Sequence, residues 1–286
     1  MRQRVHYAVP RNFPVDARLV TSMTTDTPSA ALSRLSHIRT ELRNLLLLAT
    51  PIIIAQLATT AMGFVDAVMA GRVSPRDLAA VALGNSIWIP VFLLMTGILL
   101  ATTPKVAQRF GAGQHAEIGP LVRQALWLAL IVGLIASGLL VSAQPVLQLM
   151  KVDPQLIEPS MGYLQGIAFG FPGIALYYVL RCYSDGLGRT RPSMVIGLLG
   201  LLLNIPLNYV LIYGHLGLPA LGGVGCGWAS GIVMWFMALS MAGWSRWAPV
   251  YRNSRVLVRF ERPQWAVIKR LMGVGLPIGI AVFAES

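Results

Sequence analysis

Residues 43–70 read RNLLLLATPIIIAQLATTAMGFVDAVMA. From Leu45 to Ala70 the run is apolar apart from a few neutral polar groups and one carboxylate, Asp66. A helix crossing a hydrocarbon core of about 30 Å needs about 20 such residues, so this stretch reads as a membrane span. A charge at the middle of a bilayer costs roughly 2.5–3.5 kcal/mol on insertion scales, and an acid retained there marks ion or substrate handling. Asp66 also stands near the C-terminal end of the run, where the competing reading is an idle, solvated group at the headgroups.

The rest of the chain extends the first reading. Hydrophobic residues make up 55% and charged residues 12%, with a mean hydropathy of +0.65. That is too apolar for a soluble globular chain and predicts an all-α polytopic membrane protein. Apolar windows fall near residues 45–70, 78–103, 124–144, 161–183, 193–214 and 223–244, and another starts near Leu271. From Leu271 to Ser286 a helix would reach only about 24 Å, so this segment reads as the truncated start of a further bundle. The chain therefore divides into a tail and basic leading segment (1–44), a six-helix bundle (45–244), a basic linker (245–270) and that truncated start (271–286).

The net charge of +12 does not point to nucleic acid, because the basic residues lie between spans and form no aromatic-rich patch. With alternate sides assigned, one side carries Arg34, Arg39, Arg43, Lys105, Arg109, Arg123, Arg181, Arg189, Arg191 and the run from Arg246 to Arg270. The other carries Arg72, Arg76 and Lys151. Cytoplasmic loops collect Lys and Arg, so the N-terminus is expected in the cytoplasm. Cys182 and Cys226 sit at or within spans and make no disulfide framework, and the histidines lack the spacing of a transition-metal site. Residues 1 to about 30 have no apolar core of a secretory signal and read as a disordered tail.

Setting Pro51 on Pro277 aligns RNLLLLATPIIIAQLATT (43–60) with KRLMGVGLPIGIAVFAES (269–286) without a gap. Leu45/Leu271, Ile52/Ile278, Ile54/Ile280, Ala55/Ala281 and Ala58/Ala284 are identical, and a basic residue leads each copy. Six spans separate the copies, so the repeat is parallel, a pattern of secondary transporters. It predicts a second six-span half after Ser286, in the same chain or as a separate C-terminal polypeptide. Glu285 then stands where the first copy has Thr59.

Polar residues inside the spans narrow the search for a site. Asp66 and Glu285 are the acids well inside apolar runs. Thr59, Met62, Asp66 and Met69 share one helical stripe, which would turn Asp66 toward a cavity lined by soft apolar groups. Asn204 and Asn208 stack at i and i+4 with Pro206 between them, and read either as packing hydrogen bonds or as a partner site for Asp66. Pro51 and Pro206 are candidate hinges, since a proline removes a backbone donor and frees a carbonyl. The glycine-rich RFGAGQHAEIG and SDGLGRTRPS lack the lysine and setting of a phosphate loop and read as tight turns. No Lys or Arg is expected well inside the six spans.

At these residues the chain resembles the multidrug and toxic compound extrusion (MATE) family, in its NorM-type branch, over about residues 45–286. The likeness rests on PIIIAQLATTAMGFVDAVMAGRVSPRDLAAVALGNSIW, PKVAQRFGAGQ, SDGLGRTRPSMVIGLLGLLLNIPLNYVLIYG and LGGVGCGWASGIV, in that order. It implies twelve helices in two six-helix bundles around a V-shaped cavity, of which this chain carries the N-terminal bundle and the start of helix seven. It also implies a bacterial inner membrane and antiport of cationic or amphipathic drugs against Na+ or H+, with no other cofactor. By resemblance Asp66 is the first-helix acid that binds the coupling ion, Na+ included, and Asn204 and Asn208 are its fifth-helix neighbours. Ser230 matches a small hydroxyl position on the sixth helix, and Glu285 the seventh-helix acid of the second bundle's site. Some branches carry an Asp where this chain has Asn208, so a two-carboxylate proton site is not expected here. The partners that would join Glu285 on later helices are not in the chain.

The resulting reading is half of a cation-coupled multidrug antiporter working by alternating access, with no covalent chemistry. Two others stand beside it. A flippase for lipid-linked precursors would want basic residues in its cavity. A split or frameshifted gene product would insert without transporting.

Overall fold

The computed structural model describes residues 28–215, 217–248, 251, 256 and 261–284, and all its regular elements are helices. They are α1 (Pro28–Val73), α2 (Pro75–Leu100), α3 (Thr102–Gly111), α4 (His115–Val141), α5 (Gln144–Leu149), α6 (Pro154–Gly186), α7 (Arg191–Tyr213), α8 (Gly223–Trp247) and α9 (Trp265–Ala284). The chain divides into two compact units, residues 1–47 and 48–286. The tail assigned to residues 1–27 lies outside the described residues, while residues 28–44 of the leading segment are helical.

Local chemistry sets the helix starts and stops. Ser74, in extended conformation, caps α2 by accepting the Asp77 N–H at 3.0 Å, and Pro75 occupies the first helical position. Asp153 and Pro154 repeat the device at α6, where the Asp153 carboxylate accepts the Gln155 N–H at 2.9 Å. Gly214 ends α7 at a positive φ of 75°, and a Cβ there would fall 2.5 Å from the Ala220 nitrogen, so both the backbone and the space demand glycine.

Among the described residues seven stretches are long and apolar enough to cross a membrane: Ala49–Val73, Pro75–Gly111, His115–Val141, Pro154–Gly186, Arg191–Tyr213, Gly223–Trp247 and Trp265–Ala284. Several boundaries differ from expectation, and three of them do so because a polar residue that looked like an edge has a partner inside the fold or lies within the helix itself. The third span begins at His115 and includes Arg123, which is buried and paired with Glu261. The fourth runs to Gly186 and includes Arg181, buried over the Tyr178 ring and 3.6 Å from Asp185. The expectation that no Lys or Arg lies well inside a span is corrected at these two positions. The last helix starts at Trp265, so Lys269 and Arg270 belong to it. Its 20 residues give about 30 Å, and the short stub expected from Leu271 is corrected to a helix of spanning length. The linker shortens accordingly to the residues between Trp247 and Trp265.

α6 is the centre of the bundle: 78% of its span window is buried, against 17% for the first span. It packs on α8, α4 and α2, and α2 also carries α9. Lipid tails are as apolar as leucine, so helices in a membrane gain by close packing across small residues. The α6/α8 contact follows that rule. A Cβ on Gly166 would fall 2.4 Å from the Gly227 carbonyl carbon, and one on Gly231 would fall 2.3 Å from the Gly166 oxygen. The α2/α9 crossing is as tight, with a Cβ on Gly275 only 2.1 Å from the Ile98 oxygen.

The chain entering α9 is fastened to α4. Glu261 pairs with Arg123 and accepts the Trp127 indole N–H on its carbonyl at 2.9 Å. Gln124 donates to the Arg262 carbonyl at 3.0 Å and accepts the Gln264 N–H at 2.7 Å. At the other end of α2, the Asp77 carboxylate accepts the Gly223 N–H at 2.6 Å, joining the starts of α2 and α8.

Candidate functional site

The first-span carboxylate is inside the bundle. Asp66 is 4% exposed, and α7 and α8 bring neutral donors to it. Asn208 donates to Oδ1 at 2.6 Å, Asn204 to the same oxygen at 3.2 Å, and Ser230 to Oδ2 at 2.8 Å. The i,i+4 spacing on α7 stacks the two amides, and Asn208 also donates to the Asn204 Oδ1 at 2.9 Å. Pro206, between them, lies within an uninterrupted α7, so both amides share one helical face. The solvated alternative for Asp66 does not survive this burial.

Two features make the cluster unusual. All three donors to the carboxylate are neutral, and among the described residues no Lys, Arg or His forms an ion pair with it. The Asn208 Oδ1 is buried with no hydrogen-bond donor. A buried charge without a counter-charge and an unmatched buried acceptor each cost free energy. One small monovalent cation between the carboxylate and the orphan oxygen would relieve both, and a proton on the carboxylate would relieve the first.

Asp66 also lines a cavity of about 300 Å³. Thr59 and Met62 of the predicted stripe line it, as does Ser230, while Met69 packs against the core instead. Pro51 is buried inside the unbroken α1, away from this lining. Glu285 lies outside the described residues. Much of the remaining lining is aromatic. Trp88 meets Phe92 edge to face at 5.5 Å between ring centres, and Phe92 meets Tyr178 at 5.6 Å. Tyr163, Met234 and Met237 complete it, and no Lys or Arg is among the lining residues. An acid facing aromatic and thioether groups is a chemistry for amphipathic cations.

Sequence reasoning passed over Trp88, Phe92, Tyr163 and Tyr178, because an aromatic residue inside an apolar helix carries no sign of which way it faces. The available signal was partial: Trp88 and Phe92 stand one turn apart on α2, but Tyr163 and Tyr178 lie about 22 Å apart along α6 and share no spacing that would pair them.

Comparison with known proteins agrees with the helical architecture. The multidrug resistance protein PmpM of Pseudomonas aeruginosa is 67% identical over 262 residues, covering 91% of this chain and 55% of its own length. The multidrug resistance protein MdtK of Klebsiella pneumoniae is 50% identical over 246 residues, covering 86% of this chain and 54% of its own. The chain thus spans about half the length of the curated relatives it matches. A solved structure described as MATE in the bent conformation superposes with a TM-score of 0.74 at 23% identity, over 83% of this chain and 52% of that one, which supports the fold. The MatE family model matches residues 51–210, from Pro51 at the start of the first span through the asparagine pair that holds Asp66, and with more than half of its length so matched the chain belongs to the MatE family.

Proposed function

We propose that this chain forms the ion-coupling and drug-binding bundle of a multidrug efflux antiporter. The observation that carries the reading is the Asp66 cluster: a buried carboxylate held by neutral donors, beside an unmatched amide oxygen, at the end of an aromatic cavity. Na+ or a proton compensates the carboxylate in one state, and a cationic or amphipathic drug does so in the other. Each ligand removes the attraction that holds its rival, so each shifts the conformational equilibrium against the other, which is the thermodynamic content of antiport by alternating access. The relatives named as multidrug resistance proteins support the substrate class. The flippase reading finds no basic residue in the cavity lining, since Arg123 and Arg181 are engaged by Glu261 and Asp185.

The test is transport by the chain completed to the length of its relatives with the remaining part of the Pseudomonas aeruginosa protein. In inside-out vesicles loaded with quenched ethidium, an imposed Na+ or proton gradient should drive dye movement. Movement that ignores both gradients would sink the antiport reading. Asn204→Ala and Asn208→Ala, each removing one neutral ligand, should weaken ion dependence about 3–10-fold, an interhelical hydrogen bond in a membrane contributing roughly 0.6–1.4 kcal/mol. The Asn208 change is expected to be the larger, because it deletes both the 2.6 Å bond and the orphan oxygen.

Orientation is a second expectation. Charge asymmetry places Met150 outside and Gln114 inside. Both native cysteines are buried, so single cysteines at these exposed positions report with little background. An impermeant maleimide that labels position 114 from outside would reverse the assignment.

A further inference from the structure

Behind the aromatic wall stands a residue that does not line the cavity. The Asn85 Oδ1 accepts the Tyr163 hydroxyl at 2.8 Å and the Trp88 indole N–H at 2.7 Å. An amide oxygen has two lone pairs, so one atom can hold both donors at once. The neighbouring residue completes the mount: a Cβ on Gly84 would fall 2.3 Å from the Tyr163 ring, so the ring lies against bare backbone. Gly84 gives Tyr163 its place on α2, Asn85 fixes its hydroxyl, and the same oxygen turns Trp88. Trp88 then stands edge to face with Phe92, which stands edge to face with Tyr178.

We propose that Asn85 is the positioning residue that fixes this wall and thereby selects the shape of organic cation the Asp66 cavity accepts. The inference rests on the reading of that cavity as a cation site. Its physical basis is that ring attraction for a cation depends on presenting the ring face, while Trp and Tyr freed from their hydrogen bonds rotate. The hydrogen bonds to the Asn85 oxygen come from Trp88 and Tyr163, and those to Asp66 come from Asn204, Asn208 and Ser230, so loss of Asn85 should change selection among cations and leave the Asp66 hydrogen bonds in place.

The experiment uses the 286-residue chain in lipid nanodiscs, with ethidium as a broad planar cation and tetramethylammonium as a small one. The affinity ratio between two monovalent cations is read, because a change in overall charge moves both together. Asn85→Ala should reduce the preference for ethidium about tenfold, the scale of a desolvated cation–ring contact. It should also diminish the near-ultraviolet circular dichroism assigned to Trp88 by difference against Trp88→Phe. Asn85→Asp, which keeps the acceptor and the shape, should restore both within about twofold of the original. An unchanged ratio and an unchanged Trp88 signal in Asn85→Ala would overturn the proposal. So would failure of Asn85→Asp to restore either in a chain that still unfolds at the original temperature. If the unaltered chain binds neither cation, the reading of the cavity fails, and the Trp88 signal alone then decides whether Asn85 orders the wall.

Discussion

Asp66→Asn is expected to abolish gradient-driven ethidium extrusion by the completed transporter, lowering it roughly 100-fold, the upper range of coupling between two ligands on one protein. The amide has nearly the carboxylate's shape but cannot exchange a proton or carry the charge that a metal ion or drug compensates. Folding should not suffer. The carboxylate is buried among neutral donors, so removing its charge also removes a desolvation cost, and a neutral amide keeps one oxygen for the Asn208 and Asn204 donors while its NH2 can donate to the Ser230 hydroxyl, which is free to act as acceptor. Membrane yield and melting temperature should therefore match those of the unaltered protein. Extrusion at the original rate, with the original ion dependence, would remove Asp66 from the mechanism.

The second large effect is on stability. In Gly227→Ala the new methyl would lie 2.2 Å from the Tyr163 carbonyl oxygen and 2.9 Å from its Cα. Neither atom can rotate away, so α6 and α8 must part by about 1 Å at this contact. Overpacking of this kind costs about 3 kcal/mol, or roughly 10 °C in Tm for a chain of this size. Gly243→Ala on the same helix meets nothing within 4 Å and should hold the Tm or raise it by a few degrees. The pair of variants, followed by intrinsic fluorescence on heating, separates crowding from the general preference of helices for alanine over glycine. Equal melting of the two would contradict the close packing of α6 on α8.

Much of the Asp66 cluster was legible because polar groups are expensive in lipid: Asp66, Asn204 and Asn208 stand out against apolar neighbours, and the helical period stacks the amides, whereas Ser230 was suggested only by the family resemblance. Their convergence was not legible, since Asp66 lies on α1, the two asparagines on α7 and Ser230 on α8, and only the folded chain brings these helices within hydrogen-bonding distance. Arg123 and Arg181 misled the boundaries for the opposite reason. A charge normally ends a span, but Glu261, Asp185 and the Tyr178 ring engage these two guanidinium groups inside the fold. Asn85 was invisible as a support, because its partner Tyr163 is remote in sequence and each residue alone reads as packing.

The fastening of residues 261–264 to α4 makes the joint ahead of α9 a rivet and not a slack cord. A cord would let α9 drift without disturbing the helices before it. A rivet carries torque. Any tilt of α9 pulls through the Glu261 and Gln264 bonds on Arg123, Gln124 and Trp127, and α4 bears directly on α6, the helix that holds Tyr163 and Tyr178. Motion at one end of the sequence thus has a hard mechanical route to the ring faces of the cavity, and that route bypasses the carboxylate.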